Sequence, residues 1–125
     1  KEFITTPKSI ALQSSDEKFL AKAMEYLEKN IGDEAMSIDK FADSMNLSSS
    51  MLYRKIKFLT GVSPVEFIRS VRMKRAAQLL ENETFSIAEI ACKVGFSDTR
   101  YFSTCFKKMY GLTPSQYQQQ GSTFQ

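Results

Sequence analysis

Residues 37–67 (SIDKFADSMNLSSSMLYRKIKFLTGVSPVEF) and residues 86–117 (SIAEIACKVGFSDTRYFSTCFKKMYGLTPSQY) are two versions of one unit. Ser37, Ile38, Ala42 and Ser48 match Ser86, Ile87, Ala91 and Ser97; after one extra residue in the second copy, Lys57, Gly61 and Pro64 match Lys107, Gly111 and Pro114. A chain built this way must make one small supersecondary structure twice, and the punctuation within each copy decides which. Each copy predicts a short helix, a tight turn at Asn46 or Gly95, and a second helix closed by Gly61 or Gly111, the pattern of a helix-turn-helix.

The rest of the chain fits around that unit. Residues 1–13 hold Lys, Thr, Ser and one proline without a period and predict a linker or arm from an upstream domain. Ser14 and Glu17 form a capping-box pattern that opens a helix to about Asn30, with Phe19, Leu20, Ala23, Met24, Leu27 and Ile31 on its apolar face. Ser37 and Ser48 cap the two helices of the first copy, the second of which buries Leu52, Ile56 and Leu59. Ser63, Pro64 and Glu66 combine a cap, a proline at the first helical position and a capping-box acid, and start a long helix over residues 64–81. Ser86 with Glu89 opens the second copy, Ser97 caps its second helix to about Tyr110, and Thr113 with Pro114 starts a final short helix. Residues 119–125 are a polar tail that frays. No alternating strand pattern occurs, so the expected fold is all-α, with about seven helices. Residues 14–118 make the domain: a first helix-turn-helix lobe over about 14–62, the linker helix over about 64–81, and a second lobe over about 84–118.

A chain of 125 residues buries one moderate core or two small ones joined by a shared helix. Its 42% hydrophobic and 25% charged residues are those of an ordinary globular protein, and no apolar run approaches the ~18 residues of a membrane span. No signal-peptide pattern is present, and a cytoplasmic location is the expectation. The chain has no histidine, the commonest acid/base group at neutral pH, and its two cysteines, Cys92 and Cys105, lack partners at metal-ligand spacing. No catalytic residue, metal or cofactor is expected, and the chain is not expected to be an enzyme.

Charge is distributed unevenly. Residues 1–49 are mildly acidic, whereas residues 50–75 carry Arg54, Lys55, Lys57, Arg69, Arg72, Lys74 and Arg75 against the single carboxylate of Glu66. That excess lies on the second helix of the first copy and the helix after it, where a polyanion would be neutralised. On a helical wheel, Leu52, Ile56 and Leu59 set the buried direction and turn Ser50, Arg54 and Lys57 outward, flanked by Met51, Tyr53 and Phe58. In the second copy Phe102, Cys105, Phe106 and Met109 point inward; Arg100, Thr104 and Lys107 point outward with Ser103 beside them. Arginine is shaped for a two-pronged contact to guanine, serine and threonine serve several base edges, and lysine suits phosphate. Ser50, Tyr53 and Arg54 on one helix, with Thr99, Arg100, Ser103 and Thr104 on the other, are therefore the candidate base-reading residues. Lys57, Lys107 and Lys108 are the candidate phosphate contacts. Arg72 is assigned to an intramolecular ion pair, Cys105 to the core, and Cys92 to a half-exposed position. A helix over residues 64–81 would span about 27 Å, against about 34 Å between successive major-groove faces on one side of a duplex.

The second copy, with RMKRAAQLL before it, resembles the signature of AraC/XylS-type transcription regulators. The residues that carry the resemblance are Ile90, Ala91, Gly95, Phe96, Ser97, Tyr101, Phe102, Phe106, Lys107, Gly111, Pro114 and Tyr117, joined in the first copy by Leu47, Leu52, Arg54, Ile56, Lys57, Gly61 and Pro64. The resemblance implies a DNA-binding domain of two helix-turn-helix lobes whose second helices enter successive major grooves of double-stranded DNA. The leader SSDEKFLAKAMEYLEKNIGDEAMSIDKFA is similar to output domains attached to response-regulator receivers, particularly in hybrid two-component sensors. This implies an upstream receiver or sensor domain as a partner in the full-length chain, RNA polymerase as a further candidate partner, and a monomeric segment. Thr104 stands where relatives often carry arginine, and Ser50 replaces larger side chains. The rival expectations are a helical protein-interaction module that leaves DNA alone and a repair protein using Cys92 or Cys105 as acceptor.

Overall fold

Ser48 shows how the sequence sets the helix boundaries: its backbone is extended and its hydroxyl accepts the N–H of Met51 at 3.2 Å, satisfying a donor that the first helical turn leaves free. At the other end of the same helix Gly61 adopts a left-handed conformation, φ 83°, and donates its N–H to the Lys57 carbonyl. The same devices recur along the chain. The computed structural model describes the backbone of residues 10–82 and 84–124, and the side chains of residues 15–82 and 84–120. Its helices are α1 (Ile10–Asn30), α2 (Ile38–Ser44), α3 (Ser49–Thr60), α4 (Pro64–Leu80), α5 (Ile87–Lys93), α6 (Thr99–Tyr110) and α7 (Pro114–Phe124). All seven elements are helical.

Three boundaries differ from expectation. The first helix begins at Ile10, so Ser14 lies inside it and not at its start; the Ser14 side chain is outside the described residues. The second helix of the second copy is capped by Asp98, whose Oδ1 accepts the N–H groups of Arg100 at 2.9 Å and Tyr101 at 3.3 Å, and not by Ser97. Asp98 is also a preferred cap, and it stands one residue closer to the helix because the second copy is one residue longer. The last helix runs to Phe124, past the point where the polar tail begins.

The chain divides into two compact units. One contains α1 and residues 36–68. Its core is Leu20, Ala23 and Leu27 of α1, Phe41 and Ala42 of α2, Met45, and Leu52, Ile56 and Leu59 of α3, all buried. Tyr26 stacks flat on Phe41 with centroids 5.6 Å apart, and the Lys55 ammonium lies 5.0 Å above the Phe19 ring.

The other unit contains residues 31–35 and the chain from Arg69 onward. Met73, Ala76, Ala77 and Leu80 of α4 pack with Ile90, Ala91, Val94, Phe102, Cys105 and Phe106. Phe106 contacts three rings, those of Phe102, Tyr110 and Tyr117. Burial raises the hydroxyl pKa of both tyrosines above the ordinary 10.0, reinforced at Tyr110 by Tyr117 and at Tyr117 by Glu81. Arg72 is buried here, and its Nη1 donates to the carbonyls of Ile31 at 2.7 Å and Val94 at 2.6 Å while Nη2 reaches the Asp33 carbonyl at 3.4 Å. Arg72 is thus intramolecular as expected, but its direct partners are backbone carbonyls. Burial lowers its pKa, and Asp33 and Glu34 act in the opposite sense.

The two turns are superposable in their hydrogen bonding. Asn46 N–H donates to Asp43 O and Leu47 N–H to Ala42 O, both at 3.0 Å; Gly95 N–H donates to Cys92 O at 3.0 Å and Phe96 N–H to Ala91 O at 2.9 Å. Both turn residues have positive φ, 59° for Asn46 and 89° for Gly95, a conformation open chiefly to glycine and asparagine.

Candidate nucleic-acid interface

In each copy the turn and the cap bring a twelve-residue helix to the surface with one side buried. On α3 the buried side is Leu52, Ile56, Leu59 and Thr60, and the Thr60 hydroxyl donates back to the Ile56 carbonyl at 2.7 Å. Ser50, Tyr53, Arg54 and Lys57 are all exposed, as the helical wheel predicts. Tyr53 keeps 49% of its surface accessible, which decides against its being packed away on the helix flank. Ser49 donates its hydroxyl to Asp39 Oδ1 at 2.5 Å, tying the first turn of α3 to the first turn of α2. The counterpart of Asp39 in the second copy is Ala88, so this tie belongs to the first copy alone.

Arg54 lines two grooves of the first unit. A groove of about 630 Å³ is lined by Ile38, Ser49, Ser50, Tyr53, Arg54 and Val65, among others, and lies between the N-terminal turns of α3 and α4. Ser63 and Glu66 fix the start of α4 there by reciprocal bonds: Ser63 N–H donates to Glu66 Oε1, and Glu66 N–H donates to Ser63 Oγ, both at 3.3 Å. A second groove, of about 470 Å³, is lined by Asp16, Leu47, Met51, Arg54, Lys55 and Phe58, with Leu59.

On α6 the buried side is Phe102, Cys105 and Phe106. Arg100, Thr104, Lys107 and Lys108 are exposed, and Thr99 and Ser103 are partly covered. Thr104 donates its hydroxyl to the Arg100 carbonyl at 3.1 Å, which commits its proton and leaves the oxygen able only to accept. Met109 is 41% exposed, whereas the wheel placed it inward; its place at the end of the last turn takes it off the buried stripe. Cys105 is buried as expected, and Cys92 is exposed.

The structure therefore gathers Ser50, Tyr53, Arg54 and Lys57 on one face of α3, and Thr99, Arg100, Ser103, Thr104, Lys107 and Lys108 on α6. The caps carry the register of the Lys57–Lys107 and Gly61–Gly111 matches back to the start of each helix. Counting from the caps, Ser48 and Asp98, the equivalent pairs are Ser50 with Arg100, Met51 with Tyr101, Arg54 with Thr104, Lys57 with Lys107, and Phe58 with Lys108. The arginines thus stand one helical turn apart in the two copies. Tyr101 is 50% exposed on the first turn of α6 and was not among the sequence candidates, although counting back from Gly111 would have placed it opposite Met51.

Among the described residues no helix is long and apolar enough to cross a membrane, and no cluster of three or more metal-binding side chains occurs. A family profile described as a helix-turn-helix domain matches residues 41–120. The chain is similar to a protein named Histidine kinase P4 of Formosa agariphila, with 43% identity over 113 residues that cover 90% of this chain and 8% of that protein. It spans well under half the length of the curated relatives it matches. Among solved structures it is similar to the C-terminal domain of AraT, a response regulator from Geobacillus stearothermophilus, with a TM-score of 0.74, 34% identity, and coverage of 82% of this chain and 84% of that one. A transcriptional regulator of the group with AraC-type DNA-binding domains, from Chromobacterium violaceum, superposes with a TM-score of 0.79 at 29% identity, covering 86% of this chain and 96% of its own.

Proposed function

Since this chain belongs to the AraC/XylS-type helix-turn-helix DNA-binding domains, we propose that it binds a specific double-stranded DNA sequence and regulates transcription as the output domain of a larger signalling protein. The observation that carries this is the outward face of α3 and α6: in each copy a cap, a buried apolar stripe and a left-handed glycine hold a helix whose solvent side bears arginine, hydroxyl and lysine groups. The N-terminal turns of such helices meet base edges in a major groove. Ser50, Tyr53 and Arg54 read one groove segment, and Thr99, Arg100, Ser103 and Thr104 read another. Arg54 and Arg100 present forks for guanine O6 and N7. Lys57, Lys107 and Lys108 contact phosphates and set the register.

The whole protein places a receiver or sensor domain upstream of this segment, consistent with the response-regulator and histidine-kinase relatives. RNA polymerase is the further candidate partner of a DNA-bound regulator, and the domain works in the cytoplasm, where the DNA is. Titration of a labelled duplex at several salt concentrations tests the function against the rival of a protein-only interaction module. DNA binding through lysines and arginines predicts an affinity that falls steeply as salt rises. An affinity indifferent to salt and to duplex sequence would refute it.

A further inference from the structure

The large apolar side chains left exposed among the described residues are Met51, Tyr53, Phe58, Val65, Tyr101 and Met109. All but Val65 lie on α3 and α6. Exposed aromatic and thioether groups are thus concentrated on two otherwise polar helix faces. Two of them occupy the same place in both copies. Met51 is the third residue of α3 and Tyr101 the third of α6, with 52% and 50% of their surfaces accessible. Both backbones are pinned at that point, the Met51 N–H by Ser48 Oγ and the Tyr101 N–H by Asp98 Oδ1. The Phe96 ring, 5.7 Å away, braces Tyr101 from one side. One turn further on, Thr104 is exposed and has committed its hydroxyl proton to the Arg100 carbonyl.

The edge of the major groove carries one apolar group, the C5-methyl of thymine. We propose that Met51 and Tyr101 are specificity-determining residues that pack against thymine methyl groups, so that each helix selects a thymine in addition to the guanine its arginine reads. The inference rests on the DNA-binding function above and goes beyond it by giving the target duplex a required base that hydrogen-bonding groups alone would not demand. The thioether and the ring are suited to this contact because both are polarizable and apolar where they would meet the methyl.

The test uses duplexes enriched from a random library by the unmodified protein. Each thymidine is replaced singly by deoxyuridine, which deletes one methyl and leaves every hydrogen-bonding group in place. Burial of a methyl predicts a loss of about fourfold in affinity at one thymine per helix. Met51→Ala abolishes the sensitivity at one of these positions and Tyr101→Ala at the other, each leaving the second position as it was, with helical content checked by circular dichroism. Uniform tolerance of uracil by the unmodified protein, or sensitivities that persist in both alanine variants, would overturn the inference. Enrichment of no duplex at all would instead overturn the DNA-binding function itself.

Discussion

Gly95 and Arg72 show how much a single position can depend on another far along the chain. A Cβ added at Gly95 would sit 1.5 Å from Arg72 Nη1 and 2.5 Å from the Ile31 carbonyl oxygen, while its φ of +89° already disfavours any side chain. Gly111 has a similar φ, +79°, but an added Cβ there meets nothing within 4 Å. Gly95→Ala should therefore lower stability by about 3 kcal/mol or more, through displacement of a buried guanidinium that serves three carbonyls. Gly111→Ala should cost only about 1 kcal/mol, the conformational strain. Urea denaturation of the two variants separates them, and equal losses would contradict the account. The turn at Gly95 was legible from the sequence because Asn46 occupies the same place in the first copy. That only glycine fits was not, since the reason is Arg72, which has no signal connecting it to the turn. Its charge instead suggested a carboxylate partner, but the unsatisfied groups it meets are carbonyls.

At the scale of elements, caps explain both what the sequence disclosed and what it concealed. Seven helix starts or stops in the repeat are marked by Ser37, Ser48, Gly61, Pro64, Ser86, Gly111 and Pro114, and those marks placed α2, α3, α4 and α5 within a residue or so. The choice between Ser97 and Asp98 was hidden because both residue types cap well, and the match to Ser48 favoured the wrong neighbour. Asp98→Ala should cost about 1 kcal/mol by leaving the Arg100 and Tyr101 N–H groups without their acceptor, whereas Ser97→Ala should change stability by only a few tenths. Thermal melting of the pair decides between the two caps.

A second capped element responds to pH. The Glu89 carboxylate accepts the Ser86 N–H at 2.8 Å, and this backbone bond, followed by one from the Ser86 side chain, holds its pKa below the ordinary 4.5. A carboxylate with a depressed folded pKa adds stability above its unfolded pKa and loses it as pH falls through the folded value. Glu89→Gln should therefore flatten the decline in melting temperature below about pH 4.5 relative to the unmodified protein. An unchanged acid limb would show that the capping box is not charge-assisted.

For the whole molecule the fold class and the two outward faces were readable because the repeat doubles every signal: each apolar stripe is seen twice with the same period. Exposure was less legible. Phe58, an aromatic residue, is 75% accessible, as its place beside the outward face and its counterpart Lys108 imply and its hydropathy does not, and Met109 escapes a stripe that its spacing predicts it should join. Hydropathy records what a residue prefers, while a surface that binds a partner keeps apolar groups uncovered. The basic excess of residues 50–75 survives folding for the most part: Arg72 is withdrawn into the interior, and Arg54, Lys57, Lys74 and Arg75 remain exposed. Lys57→Ala should weaken binding to all duplexes alike and reduce the slope of log affinity against log salt by about 1. A sequence-dependent loss would move Lys57 from the phosphates to the bases.

Sequence selection by this domain requires that α3 and α6 both read bases. Its most direct test is the affinity of Arg54→Ala and Arg100→Ala for an enriched duplex and for a scrambled one of the same length. Each variant should lose about 1–3 kcal/mol on the enriched duplex, relax selection at one base position of its own, and bind the scrambled duplex nearly as the unmodified protein does. Equal losses on both duplexes would make these arginines no more than charges, and the account of two reading helices would be wrong.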